Sequence, residues 1–387
     1  MPILARVALA FFSTFAVTAA LVAVAIRVCR KRRWVSLPRQ ERWHKGTPAF
    51  YGGVPLFAGF TALSLVFLPR SNHPLWRLVG VASLMFLLGL VDDICHLPAS
   101  RKLAAQLLAA ALLISMGVVH PLRVNLTGTI VVLLVWLVGI TNAFNLIDNM
   151  DGLSAGVGLI ATGYLMTFSA IGSQCDDAIL SALAAGAMAG FLWFNFKPAR
   201  IFMGDSGSLF IGFLLAATSI LDVPRVSDAP TSVLAPALVL AIPIFDTLFV
   251  SVTRRLRGQP ISQGGTDHSS HRLVRLGLEE RRAVLLLYGL SAASGAVALL
   301  TRHASLIRGS SLIGLWLFFL LVFGIYLFRD EVTNDAGMVV GLKLLLSRLL
   351  SCDTRERTFY SFSVNSSAIS ELTGPRDVDA EAPRPLE

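Results

Sequence analysis

Apolar residues gather into eleven runs along this 387-residue chain, with most of the charged residues bunched in the segments between them. The runs lie near 3–26, 52–68, 75–91, 103–119, 129–145, 153–172, 178–196, 206–221, 233–252, 283–300 and 311–328. A helix needs about 20 apolar residues to cross the hydrocarbon core, with a range of about 17–25. Most of these runs meet that length or nearly meet it, and 206–221 is the shortest. The pattern predicts an all-α polytopic membrane protein with about eleven transmembrane helices. The first run is not read as a signal peptide. No basic segment precedes it, it is too long, and no small-residue cleavage site follows. Arg6 lies near its outer end and can snorkel to the headgroups.

Composition agrees. The chain is 55% hydrophobic and only 15% charged, with a mean hydropathy of +0.69, whereas a soluble domain carries about 25% charged residues.

Lysine and arginine orient the runs. Eight lie between the first and second, around "RVCRKRRW", and seven lie between the ninth and tenth. No loop on the alternate side has more than two. The basic loops are expected to be cytoplasmic, which puts the N-terminus outside and the C-terminus inside. This bias, with an anionic substrate, accounts for the net charge of +9 without nucleic acid. Of Cys29, Cys95, Cys175 and Cys352, only Cys175 then faces outward, so no outer disulfide framework is expected. Residues 1–330 read as the membrane domain and 331–387 as a cytoplasmic tail. In the tail, "MVVGLKLLLSRLL" near 338–350 suits a short interfacial helix. From about Thr354 on, Ser, Pro and acids predict disorder.

This topology brings the chemistry-bearing residues to one face. Asp92 and Asp93 end the third run, and Asn142, Asn145, Asp148 and Asp151 end the fifth. Asp205, in "GDSGS", follows the seventh. Asp267, His268 and His271 follow the ninth. Each alone has an ordinary reading: a solvated acid pair, a turn, a glycine loop, a solvated histidine. Asp246 lies inside the ninth run, three residues past Pro243. It reads either as a functional intramembrane acid or as a cap for backbone groups freed by the proline. Together, so many carboxylates on one face require cations. Their hard oxygens suit Mg²⁺, or Mn²⁺, rather than zinc. Arg42, Arg101, Lys102, Arg200 and Arg272 lie close by in the sequence. Acids, a metal, basic side chains and a backbone-rich loop describe a phosphate-handling site. Its position between cytoplasm and bilayer suggests one soluble anion and one lipid anion.

Six segments, in order, carry a resemblance: "PRQERWHKGTPAFYGG", "LGLVDDICHLPASRKLAAQ", "NAFNLIDNMDGLSAG", "FNFKPARIFMGDSGSLFIG", "PIFDT" and "DHSSHRL". Over roughly 34–328 the chain resembles the polyprenyl-phosphate N-acetylhexosamine-1-phosphate transferases. The resemblance implies Mg²⁺-dependent transfer of a sugar-1-phosphate from a UDP-sugar to a polyprenyl phosphate in the bacterial inner membrane, with release of UMP. It implies that Asp92, with Asp93 beside it, positions or deprotonates the lipid phosphate. Asp205 is then the metal ligand, with Asn145 and Asp92 in the set. Phe202 stacks on uracil, and Asp148 and Asp151 line the nucleotide pocket. His268, His271 and Arg272 grip phosphates or sugar, and Arg42, His44, Lys102 and Asn142 join the substrate site. A homodimer is left open.

Three departures from the family pattern bear on the sugar. Ser36 stands where an Asp is usual, the Pro48 to Gly52–Gly53 spacing is one residue longer, and Ser269 and Ser270 separate two histidines. These lean away from the MurNAc-pentapeptide branch and toward N-acetylglucosamine. Two other readings fit the pattern less well. An anion transporter would hold its polar groups near the midplane, and a non-catalytic lipid-phosphate scaffold has no need of so many acids.

Overall fold

The computed structural model describes residues 2–35, 47–118, 125–221, 234–260 and 265–332, with side chains through 329. Arg42, His44, the expected helix near 338–350 and the expected disordered tail lie outside the described residues.

Among the described residues all regular structure is helical, apart from two isolated bridges that join Ala49 to Val35 and to Ile201. Every apolar run forms a helix or part of one. The first eight are α1 (Ile3–Arg32), α2 (Gly53–Phe67), α3 (His73–Cys95), α4 (Ala99–Ser115), α5 (Leu126–Ile147), α6 (Leu153–Ile171), α7 (Cys175–Asn195) and α8 (Gly204–Leu221). After them come α9 (Ala235–Val239), α10 (Ala241–Leu256), α11 (Ser269–Arg275), α12 (Glu280–Thr301) and α13 (Leu306–Val332). Among the described residues, α1, α3, α5–α8, α12 and α13 are long and apolar enough to cross a bilayer, and α2 is apolar but shorter. The chain is therefore a polytopic membrane protein, all-α among the described residues, with eight helices long enough to span against the eleven or so expected.

The run at 233–252 is two helices, broken at Leu240 (φ −101°, ψ 22°). Pro243 thereby falls in the first turn of α10, where its missing N–H would have had no partner in any case. The helix α11 has no counterpart among the apolar runs. It lies in what the sequence reads as a loop.

Burial follows side-chain size. The most buried spans are α7, which carries "SALAAGAMAGF", and α8. Small residues let neighbours approach closely. On α7 pack α1 and α6, and on α8 pack α3 and α5. At the periphery α13 shows Leu315, Phe318, Leu321 and Ile325, an apolar face suited to lipid.

Candidate active site

The site is built where the end of α3 meets the start of α8. Gly89 sits one turn before Asp93 on α3, and a Cβ there would lie 2.2 Å from the Asp205 carbonyl oxygen. Without a side chain at 89 the two backbones touch. Asp93 then reaches the exposed amides of α8. Its Oδ1 accepts from Asp205 N at 2.8 Å and its Oδ2 from Ser206 N at 3.0 Å. A carboxylate at a helix N-terminus satisfies orphan donors and complements the helix dipole. Gly204 completes the join: its φ is +73°, and a Cβ would lie 2.8 Å from Asp93 Oδ2. Asp93 thus fixes Asp205 in place rather than presenting free oxygens.

Asp92 points the other way. Its Oδ1 accepts from Leu97 N at 2.7 Å, which folds the α3–α4 link back, and its Oδ2 accepts from Lys102 Nζ at 2.7 Å. The same ammonium contacts Asp205 Oδ2. Asp205 Oδ1 accepts from Asn145 Nδ2 at 2.9 Å, and that amide also donates to Ser208 Oγ at 2.9 Å. Asn142 forms a reciprocal amide pair with Gln106, at 2.6 and 3.3 Å, which holds α5 to α4 away from the cleft.

A cleft of about 1130 Å³ opens over these groups. It exceeds the ~300–1,000 Å³ typical of small-molecule sites. Asp92, Asp93, Asp148, Asp151, Asp205, Phe202 and His271 line it, as sequence suggested, and so do Phe50, Tyr51, Asn195 and Glu280, which sequence did not single out. Two tethers hold one wall. Asn195 accepts from Gly152 N at 2.9 Å and donates to the Ile201 carbonyl at 2.8 Å. Asp151 Oδ2 accepts from Ala199 N at 3.0 Å. Together they fasten the loop after α5 to the segment bearing Phe202. That segment in turn pairs by backbone with residues 49–53, through Gly52 N to the Phe202 carbonyl and Gly53 N to the Met203 carbonyl, both at 2.8 Å. This pairing delivers Phe50 and Tyr51. The buried Asn of "FNF" at a helix end was the available signal for Asn195.

The histidine loop is set by Asp246, which is 1% exposed. Its Oδ1 accepts from Ser269 N at 2.7 Å and from Ser269 Oγ at 2.6 Å. Its Oδ2 lies 2.7 Å from His268 Nδ1. A carboxylate only accepts, so Nδ1 carries the hydrogen. Asp246 is therefore an acid that caps α11 and fixes His268. Asp267 pairs with Arg254 through two contacts of 2.7 Å. Burial raises its carboxyl, but the Arg254 hydrogen bonds outweigh that and hold it below the usual range. Arg272 turns from the cleft: its guanidinium lies over the Phe249 ring at 4.6 Å and its Nε donates to the Asp267 carbonyl at 2.9 Å. Of the three predicted basic residues of this loop, His271 alone lines the cleft. Burial, then the charges of His268 and Arg275, push it down to about 4. It is a neutral imidazole at neutral pH, and its buried Nδ1 has no partner among the described residues.

The cleft is strongly acidic. Among the described residues that line the cleft there are six Asp and Glu and no Lys or Arg. Asp148 is driven up to about 8 by desolvation, then by Asp205, Asp93 and Asp151. No group of three or more His, Cys, Asp or Glu among the described residues is set to hold a metal. Mg²⁺ needs fewer protein ligands than that: one or two carboxylates, with water and substrate phosphate completing its octahedron. Asp92 and Asp205 supply such a pair, and the Lys102 ammonium marks the point on which they converge.

Comparison with known proteins places the chain among its relatives. Residues 75–222 match the family described as "Glycosyl transferase family 4". A protein of Bacillus subtilis (strain 168) named "Probable undecaprenyl-phosphate N-acetylglucosaminyl 1-phosphate transferase" is 30% identical over 343 residues, covering 86% of this chain and 93% of that one. The "Decaprenyl-phosphate N-acetylglucosaminephosphotransferase" of Mycolicibacterium smegmatis is 33% identical over 294 residues, 66% of this chain and 72% of that one. The "Phospho-N-acetylmuramoyl-pentapeptide-transferase" of Latilactobacillus sakei is 34% identical over 236 residues, 54% of this chain and 73% of that one. With one relative matched over nearly its whole length, and with acids, amides and glycine loop gathered at one cleft, the chain belongs to glycosyl transferase family 4.

Proposed function

We propose that this protein transfers N-acetylglucosamine-1-phosphate from UDP-N-acetylglucosamine to a polyprenyl phosphate, such as undecaprenyl phosphate, releasing UMP. The product, a lipid-linked diphosphate sugar, would initiate a cell-surface polymer. The observation that carries this reading is the convergence of Asp92 and Asp205, from different helices, on one cation in an acidic cleft. A cleft lined with acids has a use for two anionic substrates only if a cation joins them.

Asp205 and Asp92 would hold Mg²⁺, with the Asn145 amide keeping Asp205 in place. Bound there, the ion would polarise the donor's diphosphate and offset the charge of the incoming lipid phosphate. An acceptor oxygen forms a bond to the donor's β-phosphorus as the bond to UMP breaks. This displacement needs no protein nucleophile. Asp93, with both oxygens on α8 amides, is not free to serve as one. Phe202 offers its ring to uracil, with Phe50 edge-on to it at 6.5 Å. The unpaired Nδ1 of His271 is suited to a hydrogen bond with the sugar or a phosphate. Membranes containing the protein, given labelled UDP-N-acetylglucosamine, undecaprenyl phosphate and Mg²⁺, should move label into organic solvent, and EDTA should stop the transfer. Transfer that persists in EDTA would remove the metal from the scheme.

The cleft is assigned to the cytoplasmic face of the bacterial inner membrane, on the charge bias of the loops. Two native cysteines test this. Cys95 is exposed beside the cleft, at the end of α3, and Cys175 is exposed at the start of α7, the opposite end of the bundle. A membrane-impermeant thiol reagent added to intact cells should modify Cys175 and spare Cys95. Modification of Cys95 alone would invert the assignment.

A further inference from the structure

Lys102 occupies the place that the proposed function gives to a metal. Its ammonium bridges Asp92 Oδ2 and Asp205 Oδ2. No other ion pair to either carboxylate exists among the described residues. The other oxygen of each acid is already engaged: Asp92 Oδ1 by Leu97 N, Asp205 Oδ1 by Asn145 Nδ2. Each carboxylate is thus held by one oxygen and offers the other to a cation. The base of Lys102 is anchored too. One turn further along α4, Gln106 pairs with Asn142 of α5, which fixes the helix from which the side chain's long stem extends. An ammonium and a divalent ion cannot both occupy the one position between these two oxygens.

We propose that Lys102 is the built-in counter-ion of the metal-free site, and that a divalent cation enters by displacing it from Asp92 and Asp205. Without a metal the ammonium relieves the repulsion between two carboxylates that would otherwise push α3 and α8 apart. With a metal in place the ammonium is released for a substrate phosphate. Only this last clause rests on the transferase reading, because the exchange itself is measured without substrate.

The test uses the full-length protein in detergent, with Mn²⁺ as the probe and no nucleotide or lipid. Free Mn²⁺ is followed by electron paramagnetic resonance. Lys102→Gln removes the competing charge and should bind Mn²⁺ about tenfold more tightly, or better. Lys102→Arg keeps a cation at the site and should bind as weakly as the wild type. In EDTA, Lys102→Gln should melt below the wild type, and Mn²⁺ should close the gap. Equal or weaker Mn²⁺ binding by Lys102→Gln would overturn the proposal. A second measurement needs no variant. In the wild type, reductive methylation of Lys102, read by mass spectrometry, should be slow in EDTA and faster with Mn²⁺. Methylation that is unchanged or slower with Mn²⁺ would equally overturn it. If Lys102 exchanges in this way but no UMP forms from UDP-sugars, the exchange stands and the assigned reaction falls. The reverse result removes the exchange and leaves the reaction.

Discussion

Asp205→Asn is expected to abolish turnover, lowering kcat by on the order of 10²–10⁴, while the protein still folds. The substitution keeps the shape and the oxygen that accepts from Asn145, so the packing at the start of α8 is preserved. What it removes is the negative charge that, with Asp92, gathers a cation. The Asp93 bonds to the backbone amides of Asp205 and Ser206 do not depend on the side chain at 205 and should survive. Melting temperature and elution volume should therefore stay near wild type, with activity absent at saturating Mg²⁺. A purified Asp205→Asn protein with near-normal kcat would show that the metal sits elsewhere.

Asp246→Asn should also cost activity, by a different route. Asp246 is buried and accepts from three donors: Ser269 N, Ser269 Oγ and His268 Nδ1. An amide has one oxygen and one NH₂ group, so in either orientation it turns hydrogens toward groups that also donate. A buried hydrogen bond to a charged group contributes roughly 1.5–3 kcal/mol, and the N-terminus of α11 should loosen. His271, two residues into α11's first turn, would lose its place on the cleft wall. Carboxylates that orient metal-bound histidines contribute roughly 10- to 100-fold, and by analogy a loss of that size in kcat/KM is expected. A double-mutant cycle separates positioning from general damage. If Asp246 acts through α11, Asp246→Asn added to His271→Ala should cost little more than His271→Ala alone. Fully additive losses would break the link.

Much of the transmembrane pattern was legible because a helix in lipid must be apolar along its length, but the continuous run at 233–252 hid the break at Leu240. The grouping of Asp92, Asp148, Asp205 and the histidine loop followed from alternation alone. Side-chain roles were less legible, because they depend on which way neighbours point. Asp92 and Asp93 are adjacent in sequence, yet one faces Lys102 and the other caps α8. Nothing in an acid pair distinguishes them. Arg272 resembles a phosphate-gripping residue in sequence, but it packs on Phe249. The seven-residue α11 has too few positions to show a period, and its cap comes from a residue twenty-three positions earlier. Asp246 does cap backbone, as one of its two readings had it, though at α11 rather than at the break at Leu240.

The released nucleotide tests the central claim most directly. Purified protein is incubated with UDP-N-acetylglucosamine labelled in the β-phosphate, undecaprenyl phosphate and Mg²⁺, and both products are resolved. Transfer of sugar-1-phosphate predicts UMP in the aqueous phase and labelled phosphate in the lipid, in equal amounts. Release of UDP, with sugar but no labelled phosphate in the lipid, would contradict the proposed reaction and make the protein a glycosyltransferase that cleaves the sugar–phosphate bond instead.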